Sequence, residues 1–359
     1  MNHRYVELQG LTTLADGDIT TIDLDMADPI SELLLDLRVT HGAGADSTEH
    51  NIKCFTKIEI VDGSDVLFSL DGIEAQALDI YHSGIHPRGG WFNYLVTTES
   101  DAQVALSFGR YLWDEMFALD PSKFGNPQLR ITFSTSAGGM NVSAGKLSVL
   151  AALFDEKVIS PAGFFMTKEI KRWTTVASAH VYTDLPRDFP YRKLLLQSRY
   201  ADNPPHWCFA NIKLASDQDK KVIIDGEFRD LLFGMARENA FIEEMMTTGG
   251  QVSKATKHCT PTMDVMGIGT QWRDDTDGGD VATYAGDGGN YEYYCELAQN
   301  TVHHIKGWSP HGTIAIPFGK QDEPDDWFNV SAVGNLKLDI TDGIAGSTSK
   351  IFIQQYRTY

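Results

Sequence analysis

Apolar and polar residues alternate with a period of two along much of this chain. In TKIEIV (56–61), Ile58 and Ile60 fall on one face and Lys57 and Glu59 on the other, and ANIKL (210–214) repeats the pattern. NPQLRITF (126–133) places Leu129, Ile131 and Phe133 together, and GNLKLDIT (334–341) does the same with Leu336, Leu338 and Ile340. LSVLAALF (147–154) and SKIFIQQY (349–356) read as further strands, and DVLFSLDG and KKVIIDG each run into an Asp-Gly turn signal. Residues 1–25 read as strand and turn. Helical spacing occurs in IEAQALDIYHSG (73–84) and in EFRDLLFGMARENAFIEEMM (227–246), where Phe228, Leu231, Leu232, Met235 and Ala236 share a face. Strands and helices do not alternate, which excludes a parallel α/β sheet. The pattern predicts an all-β protein of antiparallel jelly-roll type, with six to eight short strands in each half.

The pattern is written twice. Residues 23–38 match 184–199 without a gap, including Leu33, Leu34 and Leu35 over Leu194, Leu195 and Leu196. Residues 54–78 match 208–232, among them Cys54/Cys208, Ile58/Ile212 and Gly72/Gly226. ALSFGR (105–110) matches AIPFGK (315–320), pairing Gly109 with Gly319, and GNPQLRIT (125–132) matches GNLKLDIT, pairing Asn126 with Asn335. GKLSVLAAL (145–153) aligns with SKIFIQQYR (349–357) as the closing strand. Five collinear blocks predict two tandem copies of one domain, 1–158 and 159–359. Gly72 lies 36 residues before Phe108, whereas Gly226 lies 92 before Phe318, so the second copy carries a large loop insertion at about 235–305. The paired glycines are expected at turns with positive φ.

Composition narrows the function. A net charge of −19 repels phosphate, so direct nucleic-acid binding is not expected. No run approaches the roughly 20 apolar residues that span a bilayer, and the N-terminus lacks the apolar core of a secretory signal, so synthesis in a cytoplasm is expected. Cys54, Cys208, Cys259 and Cys295 show no CxxC spacing; Cys54 and Cys208 read as small buried hydrophobes at equivalent positions.

Candidate chemistry is sparse. The acidic loop 273–290 offers Asp274, Asp275, Asp277 and Asp280, with Asp287 beyond, as weak candidates for calcium, but not in the EF-hand order; a solvated glycine-rich loop is the plainer reading. His82 and His86, His258 beside Cys259, and His303–His304 are the suggestive histidines, yet no H-x-H exists for a cupin-type metal site. GxSxG, HExxH and P-loop motifs are missing, so no catalytic or cofactor-binding residue is assigned and no enzyme is expected. Trp91, Trp113, Trp207, Trp308 and Trp327 are candidate interface anchors.

FALDPSKFGNPQLRITF (117–133), an aspartate followed by SKF-x-NPQL entering a strand, resembles a first-domain motif of the double jelly-roll major capsid proteins of tailless icosahedral bacterial viruses. The duplication, the length and the unequal loops are similar to that family too. The resemblance implies two eight-stranded jelly rolls side by side and a structural role in the virion. It implies homotrimeric capsomers with a pseudo-hexagonal outline that tile an icosahedral shell through capsomer–capsomer contacts. Penton or minor capsid proteins and an internal viral membrane are the implied further partners. It also makes the insertion an outward tower. Several family members begin with an amphipathic membrane-facing helix, where this chain begins with strand and turn. The competing reading is a two-domain jelly-roll protein that binds or cleaves glycans.

Overall fold

The computed structural model describes residues 2–44, 47–137, 141–235, 239–250, 253–271, 281–295 and 300–359. The first half contains β1 (His3–Leu14), β2 (Ile19–Asp23), β3 (Ile30–His41), β4 (Phe55–Asp62), β5 (Asp65–Leu70), α1 (Gly72–Ser83), β6 (Trp91–Asn93), β7 (Glu99–Ser107), β8 (Pro127–Phe133) and β9 (Val142–Phe154). The second opens with β10 (Gly163–Thr174), β11 (His180–Asp184), β12 (Tyr191–Arg199), α2 (Pro205–Cys208), β13 (Phe209–Ser216), β14 (Lys221–Glu227) and α3 (Phe228–Gly234). An inserted module follows: β15 (Phe241–Thr248), β16 (Ala255–His258), β17 (Met263–Gln271), β18 (Val281–Ala285), β19 (Asn290–Cys295) and β20 (Thr301–Trp308). The chain returns through β21 (Thr313–Pro317), β22 (Leu336–Asp342) and β23 (Thr348–Thr358).

Each half builds two four-stranded sheets around its own core. In the first, β1-β9-β3-β7 packs over β2-β8-β4-β5; in the second, β10-β23-β12-β21 packs over β11-β22-β13-β14. The two orders correspond strand for strand, and this is the eight-stranded jelly roll. Even the register repeats. Leu34 pairs with Ala105 as Leu195 pairs with Ala315, and Ile58 pairs with Ile131 as Ile212 pairs with Ile340. The backbone oxygens of Cys54 and Cys208 accept from the N–H groups of Ser134 and Gly343 at 2.9 and 2.8 Å, one residue past β8 and β22. All four cysteines are buried, and none forms a disulfide.

The rolls are fused edge to edge. β10 pairs in parallel with β5, Thr167 with Phe68 and Lys168 with Ser69, which joins one sheet of each roll into a continuous eight-stranded sheet. At the other end of this seam Phe117, Phe165, Trp327 and Tyr356 form a small aromatic core.

Four expectations need correction. Among its described residues, which leave out Ala236, the helical stretch 227–246 is helix only over α3; from Phe241 the chain is strand β15. Its burial alternates there, with Ile242, Glu244 and Met246 inward and Phe241 and Glu243 outward, so the period is two and not 3.6. The insertion is no loop, since its described residues form two sheets, β17-β20-β15-β6 and β16-β19-β18, around a separate core. The closing strands align two residues differently: Leu37 pairs with Leu147 and Ser198 with Ser349, so Ser349, not Ile351, is the counterpart of Leu147. A slip of two keeps the same residues facing the core, which is why alternation alone did not reveal it.

The glycines are the fourth. Gly319 has the expected positive φ, 69°. Gly72 and Gly109 do not; they are small because other chain segments pass close by. A Cβ on Gly72 would stand 2.1 Å from the Ile52 carbonyl oxygen, and one on Gly109 2.5 Å from that of Phe117. Gly226 lies inside β14 in a near-extended conformation. Asn126 and Asn335 open their strands as turns held by carboxylates that the sequence did not flag. Asp62 accepts from the N–H groups of Gly125 and Asn126 at 3.0 and 2.7 Å, and Asp217 from those of Gly334 and Asn335 at 2.7 and 3.1 Å.

Candidate assembly surface

The inserted module stands on the jelly rolls and takes one strand from the first of them. β6 pairs in parallel with β15, Trp91 beside Met245, so the first half completes the sheet of an insertion more than a hundred residues downstream. The inner face of this sheet carries Phe92, Met246 and Ile305, packed on Tyr291 and Tyr293 of the smaller sheet. The outer face is also apolar. Cross-strand partners share a face, and one row runs Ile268, His304, Met245, Trp91; the next runs Met266, Lys306, Glu243; the third pairs Trp308 with Phe241. Ile268 is 72% exposed and Met266 58%, and Trp91 and Phe241 are about half exposed. Large apolar side chains in adjacent rows on a solvent-facing sheet mark a contact surface. The one acid and one lysine of these rows cancel, so the face is close to neutral in a chain of net charge −19.

Beneath the module lies a polar joint that the sequence did not disclose. His50 from the first roll, His258 from the insertion and His311 from the return to β21 converge: the His50 and His311 rings are 5.0 Å apart, and those of His258 and His311 5.7 Å. His258 Nδ1 donates to the Gly289 oxygen at 2.8 Å, and His311 Nε2 lies 2.8 Å from Gln76 Oε1 of α1. His50 Nδ1 accepts from Ile52 N–H. Burial first, then the neighbouring rings and Arg199, holds all three well below the ordinary histidine value. His86 Nε2 reaches Thr260 Oγ1 at 3.1 Å and Glu244 Oε2 at 3.6 Å, which ties the loop after α1 to the insertion.

The other sequence candidates separate. Asp274, Asp275, Asp277 and Asp280 lie outside the described residues. Asp287 is half-buried, and burial raises its carboxyl. His82 and His86 share no helix face, because α1 ends at Ser83 and Gly84 turns left-handed with φ 70°. His303 points into the module core against Tyr291 Oη at 2.9 Å, while His304 points out. Trp91 and Trp207 are exposed, Trp113 and Trp308 half-buried, and Trp327 is core. Among the described residues, one set of carboxylates could reach a common ion: Asp71, Glu74 and Glu169. Lys350 and Arg172 already pair with it. No described helix is long and apolar enough to cross a membrane.

Two eight-stranded rolls in one chain, fused at an edge and carrying one raised module, define a double jelly-roll protein. The chain is similar over all its residues to the major capsid protein of Sulfolobus turreted icosahedral virus, at a TM-score of 0.61, 10% identity and 97% of that chain. It is similar over 99% of its length to the major capsid protein of bacteriophage PM2, at 0.54, 11% identity and 98% of that chain. Over the same share it is similar to VP54 of PBCV-1, fitted into a reconstruction of the virophage Sputnik, at 0.59, 10% identity and 94% of that chain. No family model and no curated protein matches the sequence.

Proposed function

We propose that this chain is a viral major capsid protein whose work is assembly: homotrimers with a pseudo-hexagonal outline that tile an icosahedral shell. The observation that carries this reading is the whole-chain double jelly roll, which spans nearly the full length of two viral major capsid proteins. The physics supports it. Three copies of a chain with two similar domains, 1–158 and 159–359, present six similar sides under threefold symmetry, so one tile can meet six neighbours with related contacts. In this reading the protein resides in the virion after synthesis in a host cytoplasm, and its partners are its own copies, with penton or minor capsid proteins and an internal membrane as further neighbours. The insertion is the outward tower. Its neutral, apolar sheet face is the surface assigned to contact between copies, since a −19 chain meets itself at least electrostatic cost where charge is balanced.

Light scattering of the purified protein is expected to give three times 39.8 kDa, and negative-stain images a hexagonal outline. A monomer that binds sugars would overturn the proposal. Replacing both Met266 and Ile268 by Asp is expected to weaken trimer association at least about tenfold and to leave the melting temperature of the rolls unchanged. An unaltered trimer would remove this face from the interface.

A further inference from the structure

We infer that Glu74 carries a proton at neutral pH, and that this proton completes a five-member charge set sealing the two jelly rolls along the β5–β10 seam. Asp71 and Glu74 belong to the first roll, at the start of α1. They form a capping box: Asp71 Oδ1 accepts from Glu74 N–H at 2.9 Å, and Glu74 Oε2 accepts from Asp71 N–H at 2.8 Å. Glu169, Arg172 and Lys350 come from β10 and β23 of the second roll. Lys350 Nζ donates to Asp71 Oδ2, and Arg172 Nη2 spans Asp71 at 3.0 Å and Glu169 at 2.6 Å. The carboxylate oxygens of Asp71, Glu74 and Glu169 lie within 4.8 Å of one another.

Three carboxylates against two cations leave one negative charge over. It does not fall on Asp71 or Glu169. Burial opposes both anions, but Lys350 holds Asp71 and Arg172 holds Glu169 below the usual carboxylate range. Glu74 is fully buried, its Oε1 has no hydrogen-bond partner, and Lys350 Nζ is no nearer than 3.6 Å. Burial, and then the Asp71 charge, push its carboxyl up to about 8. A proton on Oε1 neutralises the set and turns the orphaned oxygen into a donor aimed at Glu169. A divalent ion fits less well, because the Lys350 ammonium already stands among these oxygens. Glu49, Lys53, Arg199 and His311 line the adjoining cleft of about 580 Å³.

The sibling roll supplies a comparison. Ile58 pairs with Leu70 and Ile212 with Gly226, so the register that equates Ile58 with Ile212 sets Glu74, the third residue of α1, over Asp230, the third residue of α3. Asp230 is exposed. β14, the counterpart of β5, is a sheet edge and seals nothing. The carboxyl at this helix position is buried where a second roll covers it and solvated where none does.

A carboxyl raised above its unfolded value contributes stability that is full below the unfolded pKa, near 4.5, and is lost as pH rises through about 8. The test is Glu74→Gln, which keeps the size of the side chain, an acceptor for Asp71 N–H and a donor for Glu169. Melting temperatures followed from pH 5 to 9 are expected to coincide for the two proteins at pH 5 and to separate above it, with the variant higher at pH 8.5. An infrared difference between wild type and variant is expected to show a protonated carboxyl band at pH 6.5 that is gone at pH 9.5. The difference spectrum is needed because Asp79, pushed up to about 7 by burial, and Glu32, also raised, contribute bands of their own. A melting difference independent of pH, or no such band, would overturn the inference. So would calcium or magnesium at pH 7 raising the melting temperature of wild type but not of the variant, which would put a metal ion in place of the proton on Glu74.

Discussion

On acidification from pH 7 to pH 4.5, the inserted module is expected to loosen from the jelly rolls while the seam between the rolls tightens. The joint depends on neutral histidines. His303, in the module core, is pushed down to about 4 by burial, and His50, His258 and His311 are held well below the ordinary value in the same way. A histidine whose folded pKa is depressed contributes stability that is full above the unfolded pKa near 6.5 and is lost as pH falls toward the folded one. For His303 alone, two pH units below 6.5 amount to about 2.5 kcal/mol. The other three add in the same direction, since a first proton places a cation beside the other rings and Arg199, and a proton on His50 Nδ1 breaks its bond from Ile52 N–H. Glu74 and Asp79 have the opposite sign and gain stability over the same interval. A global melt therefore mixes two effects, and peptide-resolved hydrogen exchange separates them. Peptides from 241–308 should lose protection at pH 4.5, and peptides from 66–80 and 163–172 should keep or gain it. Uniform loss across the chain would refute the local joint.

Gly319→Val is expected to be among the most damaging single substitutions outside the apolar cores, costing about 3 kcal/mol or more. Two penalties combine at this site: the backbone is left-handed, and a Cβ would sit 2.2 Å from the Asp326 carbonyl oxygen. Gly319→Ala keeps both penalties and should destabilise nearly as much, which a denaturant titration can check. A variant that melts within a degree of wild type would show that this turn relaxes freely. Gly109→Val probes the same repeat position by another route. Its backbone is not left-handed, so its cost comes from displacing the Phe117 carbonyl and the Asp114 side chain.

These two positions show how the repeat can be read. Gly109 and Gly319 match in sequence and both sit at the end of the strand that closes a sheet, yet each excludes a side chain for its own reason. Residue identity records that no Cβ is tolerated; whether the obstacle is φ or a neighbour depends on where another segment passes. Asp62 and Asp217 illustrate the converse. They hold equivalent Gly-Asn turns but stand one residue out of step with the aligned blocks, so identity matching passed over them. The helical reading of 227–246 fails because only six residues separate α3 from β15, and the helical period begun by Phe228, Leu231 and Leu232 does not extend to the point where alternation takes over.

The sequence by itself determined the duplicated all-β architecture, the order of the strands and much of their register. Alternation is local, and Leu34 over Leu195, Ala105 over Ala315, Ile58 over Ile212 and Ile131 over Ile340 record the same pairings twice. Only the tertiary structure decided how the rolls join, that the insertion is a module completed by Trp91–Asn93, and that buried charge and histidine gather at its base. The reason is distance along the chain. Lys350 meets Asp71 across 279 residues and His311 meets Gln76 across 235. Such pairs leave no period and no spacing, and a buried glutamate such as Glu74 looks, in sequence, like any other polar residue in the first turn of a helix.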